Sequence, residues 1–113
     1  MIANELIKGT IRTIVLSLLA EKKRMYGYEI MQEIDARTHG KIRLKMGSLY
    51  PILHKLEAEG LIYSENEYVG KRIRKYYLLT SGGENEKEKK VSELKEFLST
   101  INSIIDKGGM ANA

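Results

Sequence analysis

Met46-Gly-Ser-Leu-Tyr-Pro-Ile-Leu-His-Lys-Leu-Glu-Ala-Glu-Gly60, followed at once by Leu61-Ile62-Tyr63, decides how the chain is read. Leu49, Ile52, Leu53 and Leu56 recur at i, i+3, i+4 and i+7, which is one apolar helical face. Gly60 suits the left-handed conformation that ends a helix, so the spacing predicts a helix from Met46 to Glu59. Pro51 would cost about 3 kcal/mol in a helix interior. It is tolerable near the first turn, where a missing N–H loses little, and it predicts a locally irregular start. The wet side carries Ser48, Tyr50, His54 and Lys55 in place of the usual Glu/Lys mixture. A helix with polar donors and one positive charge outward fits a DNA major groove, though many solvated helices share the pattern.

Upstream, residues 3–20 read as a first helix. Ile7, Ile11, Ile14, Val15, Leu18 and Leu19 keep the 3.6 period, and Leu16 widens the apolar surface beyond one stripe. Such a helix must be covered on more than one side. Glu21-Lys-Lys-Arg-Met25 breaks it, and Tyr26 to Ala36 forms a second helix with Tyr26, Ile30 and Ile34 or Met31 inward. Thr38-His-Gly40 ends that helix, and Lys41-Ile-Arg-Leu-Lys45 alternates basic and apolar residues as a short, half-buried extended segment. Two helices and a short linker, the second with outward donors, follow helix-turn-helix order.

Downstream, Leu61–Tyr68 and Arg74–Leu79 are aromatic and β-branched runs flanking Val69-Gly-Lys-Arg-Ile73. Gly70 marks the turn, so this is a hairpin with a basic tip, a wing after the helix-turn-helix. A last helix starts near Thr80-Ser81, where Ser81 and Glu84 match a capping box. Gly82 and Gly83 weaken its first turn by about 1 kcal/mol each. Val91, Leu94, Leu98, Ile101 and Ile105 then recur at 3-4-3-4 spacing, a heptad seam of just over two repeats with Phe97 and Ile104 beside it.

A chain of 113 residues is one domain's worth, and 42% apolar residues support a modest core. There is no cysteine, hence no disulfide framework and no thiolate metal site. Ile14–Ala20 is too short to span a bilayer. Glu5 precedes it, Glu21-Lys-Lys-Arg24 follows it, and no small-x-small cleavage site appears. No membrane association is expected, and the protein is expected to be cytoplasmic. Residues 1–80 hold 14 Lys/Arg against 9 Asp/Glu, whereas residues 81–113 hold 5 against 6. A positive excess confined to the first part suits a polyanionic partner.

Tyr26-Gly-Tyr-Glu-Ile30, Gly47-Ser-Leu-Tyr-Pro-Ile-Leu-His-Lys-Leu-Glu-Ala-Glu-Gly-Leu-Ile62 and Arg74-Lys-Tyr-Tyr-Leu-Leu-Thr80 resemble, in order and spacing, the three signature blocks of the PadR family. Its members are bacterial winged-helix transcriptional regulators, and the resemblance covers about residues 7–106. It implies a homodimer joined through the C-terminal helix, binding a palindromic operator in double-stranded DNA and usually repressing. With one C-terminal helix, the chain resembles the smaller PadR-like proteins. Those of this size often bind a small aromatic or drug-like effector at the dimer interface.

The resemblance places Ser48 and Tyr50 at recognition-helix positions that touch DNA, Ser48 donating to a phosphate or base edge and Tyr50 reaching the backbone. A helix cap for Ser48, and packing against the wing for Tyr50, are the structural alternatives. His54 and Lys55 lie one turn deeper, and Lys45 just ahead of the helix joins the same set. Lys71, Arg72, Arg74 and Lys75 bring four cations without a carboxylate to the wing, suited to phosphates or a narrowed minor groove. Tyr26 and Tyr28 either touch a phosphate at the second helix's start or pack. Dimerisation is assigned to Ile11 and Val15 of the first helix with Val91, Leu94, Leu98, Ile101 and Ile105 of the last. An effector pocket would use Leu94, Phe97, Leu98 and Ile101, the alternative being a closed dimer core.

Enzyme readings lack parts: His39 and His54 sit on separate elements, and no Walker, GxGxxG or His-x-x-His pattern occurs. Glu84, Glu86 and Glu88 lie in a Lys-rich solvated run. No cofactor or metal is expected. The fold expected is mainly α (α+β): a winged helix-turn-helix over residues 1–80, a dimerisation helix over 81–106 and a frayed tail over 107–113. Its order is two helices, a short extended segment, the recognition helix, the hairpin and the final helix. A sequence-specific DNA-binding regulator is the function this implies. The alternative is a winged-helix module that binds a protein and leaves DNA alone, marked by exposed apolar residues on the wing.

Overall fold

The computed structural model describes residues 2–106 and contains α1 (Asn4–Ile7), α2 (Ile11–Lys22), β1 (Arg24–Tyr26), α3 (Gly27–Arg37), α4 (Met46–Ala58), β2 (Ile62–Val69), β3 (Arg72–Leu79) and α5 (Ser81–Ile105). This is a winged helix-turn-helix: α3 and α4 form the helix pair, and β2–β3 form the wing. The tail expected over 107–113 lies outside the described residues. No helix among them is long and apolar enough to cross a membrane.

Three expectations are corrected by local chemistry. The single first helix is two, because Thr10 turns back on Ile7, its amide and Oγ1 both donating to the Ile7 carbonyl at 2.8 Å. Lys41–Lys45 alternates as expected, with Ile42 and Leu44 half-buried, but forms no strand; the short strand is Arg24-Met-Tyr26 instead. Arg24, Met25 and Tyr26 pair antiparallel with Leu78, Tyr77 and Tyr76, giving a sheet of order β1-β3-β2. The last helix is capped by Thr80 rather than Ser81, its Oγ1 accepting from the Gly83 amide at 2.9 Å. Gly83 is required there, since a Cβ on it would lie 1.9 Å from the Leu61 carbonyl oxygen.

The core is built where the apolar periods converge. Val15, Leu16 and Leu19 of α2, Ile30 of α3, and Leu49, Leu53 and Leu56 of α4 are almost wholly buried with Ile62 and Tyr77 of the sheet. The α4 register is thus the one expected from its spacing. At its end Gly60 takes φ +76°, the Leu61 amide donates to the Leu56 carbonyl, and the Gly60 amide donates to that of Glu57. That pair of bonds is a Schellman stop, which needs the left-handed residue that glycine supplies. Pro51 lies inside the helix. Its missing N–H forgoes the bond to the Gly47 carbonyl, while the first turn is tightened by the Ser48 and Leu49 amides sharing the Lys45 carbonyl.

The wing turns on two residues, Gly70 and Lys71, with Val69 opposite Arg72. Gly70 has φ +63°, so the strands run closer to the tip than expected and Lys71 and Arg72 crown it. At 25 residues, α5 is about 37 Å long at 1.5 Å per residue. Its middle rests on α2, where Val91 and Leu94 are half-buried.

Candidate nucleic-acid interface

The outward face of α4 divides into two flanks. Successive residues are 100° apart on a helix, which puts Ser48 and Lys55 on one edge and Tyr50 and His54 on the other. All four are exposed, as are Gly47 and Pro51 between them. The centre of the face is therefore low and flat, with donors standing on both sides. Tyr50 and His54 stack, their ring centroids 6.1 Å apart and inclined by 30°. Gly27, at the start of α3, lies against this pair: a Cβ there would crowd the Met46 Cε at 2.9 Å and touch the Tyr50 ring at an ordinary contact distance of 3.6 Å. Ser48 is the third residue of α4, in its first turn, and the N-cap position is Lys45, so Ser48 does not cap the helix. Tyr50, 43% exposed, packs along one edge and offers the other to solvent.

The four wing cations part company. Lys71 and Arg72 are exposed at the tip. Arg74 is half-buried, its guanidinium 4.1 Å from the Tyr26 ring centroid. Lys75 turns toward the core side, 3.7 Å from a Glu57 carboxylate oxygen and 5.5 Å from the Tyr77 ring centroid. Tyr26 packs edge-on to Tyr76 at 5.5 Å, and its amide donates to Glu29 Oε1 at 3.1 Å. Tyr28, one residue into α3, is 49% exposed.

Sequence reasoning missed a member of this cluster. Arg24 lies 3.9 Å from the Tyr76 ring centroid and pairs with Glu67 across the sheet's outer face. Both guanidinium groups are held more firmly in their charged form, Arg24 chiefly by its bond to Glu67 and Arg74 chiefly by that to Tyr76. Its signal was the strand itself, hidden because Arg24-Met-Tyr26 is too short to show a period of two. The wing also exposes Tyr68, Val69 and Ile73, at 76%, 43% and 58%. The feature set out above as the mark of a protein-binding wing is therefore present beside the cations.

The expected dimer residues fall into two groups. Ile11 and Val15 are 4% and 0% exposed within the chain's own core, so α2 has no room to present them to a partner. Leu98, Ile101 and Ile105 are exposed, together with Phe97 and Ile104. Leu94 and Leu98 line an apolar depression of about 410 Å³ between α2, α3 and α5, with Ile14, Ile34 and Ile42. Of the four residues expected at an effector pocket, Leu94 and Leu98 line this depression, whereas Phe97 and Ile101 do not. Phe97 lies off the α2-facing side of α5 and is 58% exposed.

The profile described as the transcriptional regulator PadR-like family matches residues 15–89. An uncharacterized protein of Lysinibacillus sphaericus is 38% identical over 87% of this chain and 93% of its own length. A transcriptional regulator from Clostridium thermocellum superposes with a TM-score of 0.82 at 33% identity, covering 89% of this chain and 98% of that one. Bacillus subtilis PadR in complex with operator DNA superposes at 0.64 with 29% identity, over 70% of this chain and 45% of that one.

Proposed function

Because the chain belongs to the PadR-like family of transcriptional regulators, we propose that it binds a palindromic operator as a homodimer and represses transcription from it. The observation that carries this reading is α4: an exposed face low at Gly47 and Pro51, with Ser48 and Lys55 on one flank and Tyr50 and His54 on the other. Such a face approaches base edges closely while its flanks reach the sugar-phosphate walls. Bacillus subtilis PadR, whose fold this chain shares, is seen with operator DNA. Residues 1–80 read DNA and 81–106 join the subunits, in the cytoplasm where the chromosome lies. The exposed apolar residues at the end of α5 are the surface that a second copy covers. The depression at Leu94 and Leu98 is the place for a small aromatic or drug-like effector, which would act by shifting α5 against the helix-turn-helix.

A second reading rests on Tyr68, Val69 and Ile73, which suit a wing that docks on protein. Selection of binders from random double-stranded DNA separates the two. The operator reading predicts two inverted half-sites whose centres lie about 10 base pairs apart. A pool with no enriched sequence, from a protein still able to capture a partner through its wing, would favour the second.

A further inference from the structure

On the flank of α4 that carries Ser48 and Lys55 lies a groove of about 700 Å³, closed on its far side by the N-terminal turn and the α3–α4 linker. The Ile2 amide donates to the Lys41 carbonyl at 2.7 Å, which ties the N-terminal segment to that linker. Lys8 and Arg43 are thereby brought beside Lys45 and Lys55, although they are far apart in sequence. Lys8, Lys45 and Lys55 take part in no ion pair among the described residues, and Arg43 keeps 63% of its side chain exposed while 3.5 Å from Asp35. Of the nearby carboxylates, Arg12 holds Glu59, and Glu5 stands exposed on α1. Ile7, Leu44 and Ile52 make the floor apolar.

The position of this groove relative to the wing gives it a meaning. Glu57, which meets Lys75 and Ser64 of the sheet, is nine residues from Ser48, half a turn round α4 at 100° per residue. The wing and the groove are therefore on opposite flanks. A helix about 10–12 Å across fills a major groove about 12 Å wide, so each flank faces one phosphate strand. On the operator reading, the exposed Lys71 and Arg72 of the wing are on the side of one of these strands.

We propose that the groove is a second backbone track, in which Lys8 and Arg43 join Lys45 and Lys55 in holding the phosphates of the other strand. The apolar floor receives the sugar faces. This rests on the operator reading above.

The test is the salt dependence of binding to the selected operator, for wild type, Lys8→Ala/Arg43→Ala, and Lys89→Ala as a charge loss on α5 outside the groove. Each phosphate contact removed makes the slope of log affinity against log salt less negative by about 0.9. The double variant removes two cations from each subunit of the dimer, so its slope is expected to be less negative by up to about 3.6, and Lys89→Ala is expected to keep the wild-type slope. An unchanged slope in the double variant, or an equal change in Lys89→Ala, would overturn the track while leaving the operator reading intact. Wild type that binds no DNA would defeat the operator reading itself. Octanesulfonate serves as a probe of the remaining occupant. Amide shifts at Lys8, Leu44 and Ile52 on adding it, with the slope unchanged in the double variant, would assign the groove to a small organic anion and overturn the track.

Discussion

The Arg74 guanidinium lies 4.1 Å from the centre of the Tyr26 ring, so the wing's return strand is fastened to the residue that opens the helix-turn-helix. The reciprocal contact, Arg24 over Tyr76, and the edge-on packing of the two tyrosines lock the same joint. An aromatic pair of this geometry contributes about 0.5–1.5 kcal/mol beyond its buried area. Tyr26→Leu should lower the unfolding free energy in urea by that order. If Tyr26 acted on DNA alone, the urea midpoint would not move.

Gly82 and Gly83 are adjacent and should behave oppositely. A Cβ on Gly82 meets nothing closer than Thr80 Oγ1 at 3.6 Å, whereas on Gly83 it would meet the Leu61 carbonyl oxygen at 1.9 Å. Gly82→Ala should stabilise by about 0.4–1 kcal/mol. Gly83→Ala should destabilise by about 1–3 kcal/mol or more, because backbone must shift. Thermal melts of both variants decide it, and equal effects would mean that α5 is not seated on Leu61.

Acid should loosen the fold through two surface pairs. The hydrogen bond from Arg37 holds Glu21 below the usual carboxylate range, and that from Arg12 does the same for Glu59. A depressed folded pKa means that the stabilisation is present above the ordinary carboxylate value and is lost as pH falls through the folded one. Urea midpoints of wild type should therefore drop from about pH 5 downward, and more steeply than those of Arg12→Gln/Arg37→Gln. Parallel curves would show that the pairs contribute nothing.

On α4, Tyr50→Phe and Ser48→Ala should weaken operator binding several-fold, as loss of a hydrogen bond worth about 0.5–1.5 kcal/mol implies. Neither should shift the melting midpoint, because both side chains stand on the exposed face. A lowered midpoint with operator affinity unchanged would make them packing residues.

How far this was legible in the sequence depended on the length of each pattern. The α4 face, with Leu49, Leu53 and Leu56 inward, is long enough for its period to speak, and Gly60 marked its end. The wing followed from two aromatic runs around Gly70. By contrast, β1 has three residues and shows no period. The capping of α5 by Thr80 depends on its contacts with the Gly60 and Leu61 carbonyls, which no local pattern announces. Ile11 and Val15 were misplaced for a related reason. A wide apolar face tells that a helix is covered on several sides, not whether its own chain or a partner does the covering. The placing of Lys8 and Arg43 around one groove had no sequence signal at all, since it depends on the N-terminal segment folding back to Lys41.

The central claim is that a second copy covers the end of α5 and so sets two recognition helices on one DNA. Phe97, Leu98, Ile101, Ile104 and Ile105 are each at least 36% exposed, and fully burying such a side chain is worth roughly 1.5–3 kcal/mol. Sedimentation equilibrium of the full chain at micromolar concentration measures this directly, beside Leu98→Glu. The account predicts twice the chain mass for wild type. Leu98→Glu should sediment at the single-chain mass, keep the near-ultraviolet signature of a folded winged helix and lose operator binding. Wild type that sediments as a monomer while still binding the operator would contradict it.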